Sequence, residues 1–159
     1  MRIVKVNRKG VPVAGREFFD LLYADSEFCE RLGRTMLAAG RLETELKLYL
    51  DANLVKYKEH ATLGNLINLL KKHGLMKKVQ PSLELLRDQR NYLTHNLHAL
   101  FSGLIGETVL ERSNLLDSDI DTFAERAWQL AENLDGLADV MAKENATLSL
   151  GTNLPPEGR

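Results

Sequence analysis

Leu83–Gly103 reads LELLRDQRNYLTHNLHALFSG, and its periodicity decides the architecture of the chain. Leu83, Leu86, Leu93, Leu97 and Leu100 recur at three- and four-residue spacing, the pattern of one apolar stripe on an α-helix. Successive residues are turned by about 100°, so Arg87, Arg90, Asn91, Thr94, His95 and His98 fall on a polar flank beside that stripe. Arg90 stands at the border, where a leucine is expected. Pro81 suits a first helical residue because it has no N–H to leave unpaired. Gly103 suits a stop, since glycine takes positive φ without cost. The helix between them is about six turns long.

The same reading extends outward. Asp25 or Ser26 caps a helix running to about Ala52, with Leu32, Met36, Ala39, Leu42, Leu46 and Leu50 inward. Glu43 falls inside that stripe and needs a partner, because an isolated buried charge is too costly. Arg90 is the attractive one, through a bidentate pair; Arg41 and Lys47 are the local alternatives. After a polar connection, Asn53–Ala61, Thr62 caps a short helix with Leu63, Leu66, Ile67 and Leu70 inward and Gly74 as its stop. Leu104–Leu116 reads as a loop or short extended piece. Asp117 or Ser118 then caps a last long helix with Ile120, Phe123, Ala127, Leu130, Leu134, Leu137 and Met141 inward. Met1–Gly15, with Ile3, Val4 and Val6 before an Asn7–Gly10 turn and Val11–Val13, reads as a hairpin or irregular arm. Arg16–Tyr23 reads as a short helix.

The expected fold is all-α, an up-and-down-like bundle of four principal helices. Its expected parts are residues 1–24 as arm and short helix, 25–146 as bundle, and 147–159 as a flexible tail containing Pro155–Pro156. Composition agrees: 44% of the 159 residues are apolar but only 6% aromatic, so the core is built of leucine and alanine.

A net charge of −1 gives no global attraction to nucleic acid or membrane. Its distribution is uneven. Lys56, Lys58, Lys71, Lys72, Lys77 and Lys78 cluster on the basic side, while Asp117, Asp119, Asp121, Glu125, Glu132, Asp135 and Asp139 fill the last helix. The lysines are either a solvated face or a path for a phosphate backbone. Cys29, the single cysteine, allows no intrachain disulfide and is expected to pack beside Phe28. No apolar run approaches 18 residues, and Met1–Gly15 lacks an apolar signal core, so a cytoplasmic protein without a membrane partner is expected.

Arg90–Asn91–Tyr92–Leu93–Thr94–His95 resembles the R-N-x-x-x-H signature of the HEPN superfamily, compact helical bundles that include prokaryotic toxins and defence proteins. The likeness extends to the Leu42–Glu43 helix and to Thr62–Leu63–Gly64 before LINLL. It implies an HEPN-like bundle and metal-independent endoribonuclease chemistry, with no cofactor and no bound metal. It also implies a homodimer that brings two motifs into one cleft, RNA as substrate, and an antitoxin or regulatory protein as partner. Position by position, Arg90 would stabilise transition-state charge, and His95 would act as general base or acid. Asn91 would orient one of them or the phosphate, with Glu43, Arg87, Thr94 and His98 in support. A guanidinium forks onto phosphate oxygens and an imidazole titrates near working pH, so the residue types suit the task. One departure is Leu97, two residues after His95. Members silenced by adenylylation carry a tyrosine there, which argues against that modification here.

Other readings use the same residues. His95 and His98 at i, i+3 are a possible metal pair with Asp88 or Glu84, though without a further ligand motif. Asn91, Thr94 and His95 would otherwise serve as structural polar groups at a dimer seam. The alternative function is a catalytically silent, dimeric HEPN-like module that binds a protein or nucleotide. His60 and His73 are expected in solvent, and Trp128 is expected to pack.

Overall fold

Asp25 sets the first helix boundary by local chemistry alone. Its carboxylate accepts the Phe28 N–H at 2.7 Å, and its own N–H closes the preceding helix on the Leu22 carbonyl at 3.1 Å. It thereby ends α1 (Gly15–Ala24) and starts α2 (Ser26–Ala52). The computed structural model describes residues 7–102 and 115–151, apart from the side chains of residues 95, 96 and 98–102. Within that range β1 (Pro12–Val13) precedes α1, and α3 (Leu63–Lys72), α4 (Gln80–Ser102), β2 (Leu115–Leu116) and α5 (Asp119–Gly151) follow α2. The fold is all-α with a short N-terminal arm.

The chain divides into two units, Met1–Met36 with Asp88–Glu132, and Leu37–Arg87 with Asn133–Arg159. In the first unit, Phe18 and Phe28 both meet Phe123 edge-on, at 5.4 and 6.5 Å between centroids. Leu22, Ile120, Ala127 and Leu93 are buried beside them or in the same unit. The buried Thr35 hydroxyl donates to the carbonyls of Arg31 at 3.0 Å and Ala127 at 2.8 Å. Contacts from Phe28 to Phe123, Arg31 to Glu125 and Thr35 to Ala127 advance together along both helices. Here α2 and α5 therefore run parallel.

β1 pairs with β2 in antiparallel register, Pro12 opposite Leu116 and Val13 opposite Leu115. The arm thus finds a strand partner a hundred residues away. Ile3, Val4 and Val6 lie outside the described residues. Arg8 fastens the arm, bridging Asp25 and Asp121 with only 12% of its side chain exposed. Asp117 accepts the N–H groups of Lys9 and Val11, and the buried Asp119 accepts that of Leu116 at 2.8 Å.

In the second unit the buried set is Leu42, Leu46, Leu50, Leu63, Leu66, Ile67, Leu70, Leu83, Leu134 and Met141, each fully enclosed. Fully burying each such side chain contributes about 1.5–3 kcal/mol. Arg41 reaches both Asp135 and Asp139, and Asn145 donates to the Glu45 carbonyl and carboxylate, so α2 and α5 are parallel here as well. Lys71 pairs with Glu84 at 2.9 Å while Gly64 sits against Arg87, which makes α3 and the first turns of α4 antiparallel.

Several expectations change. Met36 is not inward: it is 70% exposed and Leu32 only half-buried. Two four-residue steps from Phe28 carry the stripe about 80° off its line, and the step to Thr35 restores it. Trp128 is exposed on α5, and Cys29 is exposed although Phe28 beside it is buried. Residues 147–151 are helical and not tail. α5 continues to Gly151, with Thr147 and Ser149 returning hydroxyl bonds to the Lys143 and Asn145 carbonyls. Leu100, Gly103, the stretch with Ile105, Val109 and Leu110, and Pro155–Pro156 fall outside what is described. Among the described residues, no helix is long and apolar enough to cross a membrane.

Candidate functional site

Leu83, Leu86 and Leu93 are buried and Leu97 is half-buried, so α4 takes the phase that its leucines require. That phase places Arg90 half-buried at the border and Asn91 in solvent, both in the first unit. One Arg90 Nη donates to Asn91 Oδ1 at 3.4 Å, near the outer limit of a hydrogen bond. Thr94 is exposed, and its hydroxyl donates to the Arg90 carbonyl at 3.0 Å. Its polar hydrogen is thereby spent within the helix. His95 and His98 lie on α4, but their side chains are outside the described set.

Tyr92, on another side of α4, makes the contact that ties this segment down. Arg126 of α5 donates to the Tyr92 hydroxyl at 3.1 Å, and its guanidinium carbon lies 5.6 Å from the ring centroid. Sequence reading missed Arg126. The available signal was its position between Phe123 and Ala127, a cation at the edge of an apolar stripe, as Arg90 is.

The supporting residues Glu43 and Arg87 belong to the second unit. Glu43 Oε1 accepts the Leu63 N–H at 3.0 Å, one of the donors that the first turn of α3 cannot satisfy itself. Thr62 and Asn65 form a capping box around the same turn, with Thr62 accepting the Asn65 N–H and Asn65 Oδ1 accepting that of Thr62. A carboxylate at the positive end of a helix is favourable, which accounts for an acid inside the α2 stripe. Arg41 goes to α5, and Lys47 to the Glu59 carbonyl and the Tyr57 ring. A Cβ at Gly64 would come within 3.4 Å of Arg87 Cδ, so the half-buried arginine stem lies across the start of α3.

All six lysines are exposed. Lys71, Lys72, Lys77 and Lys78 lie at the end of α3 and on its connection to α4, whereas Lys56 and Lys58 lie on the connection before α3. Lys71 is engaged with Glu84, and Glu84, weighed above as a metal ligand, is the acceptor of that pair. The acidic run is largely used within the chain: Arg8 holds Asp121, Arg31 reaches Glu125, and Arg41 holds Asp135 and Asp139. His60 and His73 are exposed, as expected.

Asp117 has a perturbed carboxyl. Burial opposes its ionisation, but N–H donors from Val11, Lys9, Gly10 and Ser118 outweigh it and hold the pKa below the ordinary value. It serves the arm rather than the α4 flank. No protein-family model, curated protein or solved structure matches the chain.

Proposed function

We propose that this protein is a metal-independent endoribonuclease of the HEPN type, with Arg90, Asn91 and His95 as its catalytic group. The observation that carries the reading is the placement of the R-N-x-x-x-H motif on α4. Its arginine is half-buried at the apolar border, its asparagine is solvent-facing, and the guanidinium touches that amide. Arg90 is half-buried as a residue, and a charge held in place before reaction stabilises a developing oxyanion more than a mobile one does.

In this mechanism the ribose 2′-oxygen attacks the adjacent phosphorus and the P–O5′ bond breaks. One imidazole takes the 2′-hydroxyl proton, and an acid returns a proton to the leaving 5′-oxygen. Arg90 forks onto the non-bridging oxygens of the crowded phosphorus, and Asn91 orients the phosphate. The products are a 2′,3′-cyclic phosphate and a 5′-hydroxyl. A positioned acid–base group supplies about 10²–10⁴-fold in rate and one charge donor about 10²–10³-fold. The reading includes a homodimer, in which the second copy of the motif supplies the opposite proton-transfer group. The exposed lysines near α3 supply salt-dependent attraction for the RNA backbone.

The test is cleavage of a mixed single-stranded RNA pool in chelator, with product ends identified by mass spectrometry. Arg90→Ala and His95→Ala should each lower the rate by at least about 10²-fold with unchanged helicity. An inactive wild type, or cleavage that survives both substitutions, refutes the assignment.

A further inference from the structure

The tie between Arg126 and Tyr92 lies at the level of the motif: Tyr92 fills one of its variable positions, and Arg126 lies outside it. We infer that Arg126 is a positioning residue, acting through Tyr92 to fix the rotation of α4 and so the aim of Arg90 and Asn91. This inference rests on the nuclease reading for its consequence in rate, but not for its physical basis.

Tyr92 stands between Asn91 and Leu93, so its ring leaves α4 on a side different from both the buried leucine and the exposed amide. Both Tyr92 and Arg126 are half-buried. Arg126 makes two geometrically different contacts to one side chain, a hydrogen bond to the hydroxyl and a cation lying over the ring. The first fixes the distance of the phenol oxygen from α5, and the second fixes the tilt of the ring. Together they restrain turning of α4 about its own axis.

The lever is short and the tolerance small. With side chains reaching about 5–6 Å from a helix axis, a 20° turn moves a tip by about 2 Å. Functional groups must be held within about 0.5 Å and 10–20° of their productive geometry. A misplacement of 1 Å costs about 10²-fold in rate. The α5 partner is itself well anchored, because Phe123, Ala124 and Ala127 on either side of Arg126 are buried.

The experiment compares Tyr92→Phe, Arg126→Lys, Arg126→Met and the double variant Tyr92→Phe/Arg126→Met. In single-substrate cleavage, Tyr92→Phe should lower kcat by about 10-fold and Arg126→Met by about 10²-fold, with KM within about twofold of wild type. Arg126→Lys keeps a cation for the ring and should recover part of the loss. An unchanged kcat, or a KM that rises while kcat holds, overturns the inference. Amide exchange across residues 88–94 provides a readout free of activity. Arg126→Met should speed it and the double variant should add nothing further. Equal exchange in every variant overturns the inference even where the wild type cuts no RNA. Faster exchange in an inactive protein supports the tie and assigns the failure to the nuclease reading. Tyr92→Phe removes a single oxygen and keeps the test open should Arg126→Met fail to fold.

Discussion

Two helix ends in this protein carry the same hydrogen-bonded motif with different residues at its left-handed position, and exchanging them should shift stability in opposite directions. At the end of α3, the Leu75 N–H bonds the Leu70 carbonyl at 2.9 Å and the Gly74 N–H bonds that of Lys71 at 3.1 Å, with Gly74 at φ +65°. At the end of α2, the Val55 N–H bonds the Leu50 carbonyl at 2.9 Å and the Leu54 N–H bonds that of Asp51 at 3.0 Å, with Leu54 at φ +58°. Leucine in that conformation costs about 1–2 kcal/mol. Leu54 is 92% exposed, so glycine there forfeits no burial. Against the relief stands the greater freedom of glycine in the unfolded chain, about 0.5–1 kcal/mol. Leu54→Gly should therefore stabilise by about 0.5–1 kcal/mol, a rise of about 1–4 °C in the thermal midpoint for a chain of this size.

Gly74→Ala reverses both contributions and should destabilise by a similar amount. Its new Cβ would meet only the flexible end of Lys77, at 3.4 Å, so conformation and not crowding decides the sign. Urea titration and calorimetry of the two variants provide the assay. Midpoints that move in the same direction, or a fall with Leu54→Gly, would refute the strain argument.

Two further outcomes follow from the polar contacts. Glu43→Gln retains an acceptor for the Leu63 N–H but removes the charge from the α3 N-terminus, and should cost about 0.3–1 kcal/mol; Glu43→Ala should cost more. Urea midpoints check both, and neutrality of both variants would remove the capping role. Asp117 has a lowered carboxyl pKa when folded, so its contribution is complete above the ordinary carboxylate range. It is lost as pH falls through the lowered folded value. Asp117→Asn should therefore flatten the acid limb of a stability–pH curve, read from urea midpoints between neutral and acid pH. An identical acid limb in the variant would contradict that linkage.

The helices that were legible in the sequence are those whose signals are local. Asp25 at the start of α2, Thr62 and Gly74 around α3, and the alternating leucines of α4 each need only the next turn of chain to act. Met36 misled because three- and four-residue steps match the helical period only on average, so a run of fours drifts off the buried line. The Arg8 bridge and the β1–β2 pair were illegible because their partners lie far along the chain, with no periodicity to announce them. At the candidate site, the helical setting of Arg90 and Asn91 follows from the leucine stripe. The Tyr92–Arg126 pair does not, since a cation at the edge of the α5 stripe marks Arg126 but nothing in either helix alone names its partner. Glu43 was recognised as needing a partner, and the Leu63 N–H, a main-chain donor, is one that no residue pattern reveals.

The far-reaching attachment of the N-terminal arm has a consequence for biosynthesis. Arg8, Lys9 and Val11 are made more than a hundred residues ahead of Asp117 and Asp121, which hold them. At ribosomal speed that delay is roughly 5–20 s, far longer than helices take to form. While α1 to α4 are synthesised the leading segment has only the Arg8–Asp25 part of its anchorage, and the rest forms when the start of α5 leaves the tunnel. Its anchoring therefore waits on the chain as far as the start of α5.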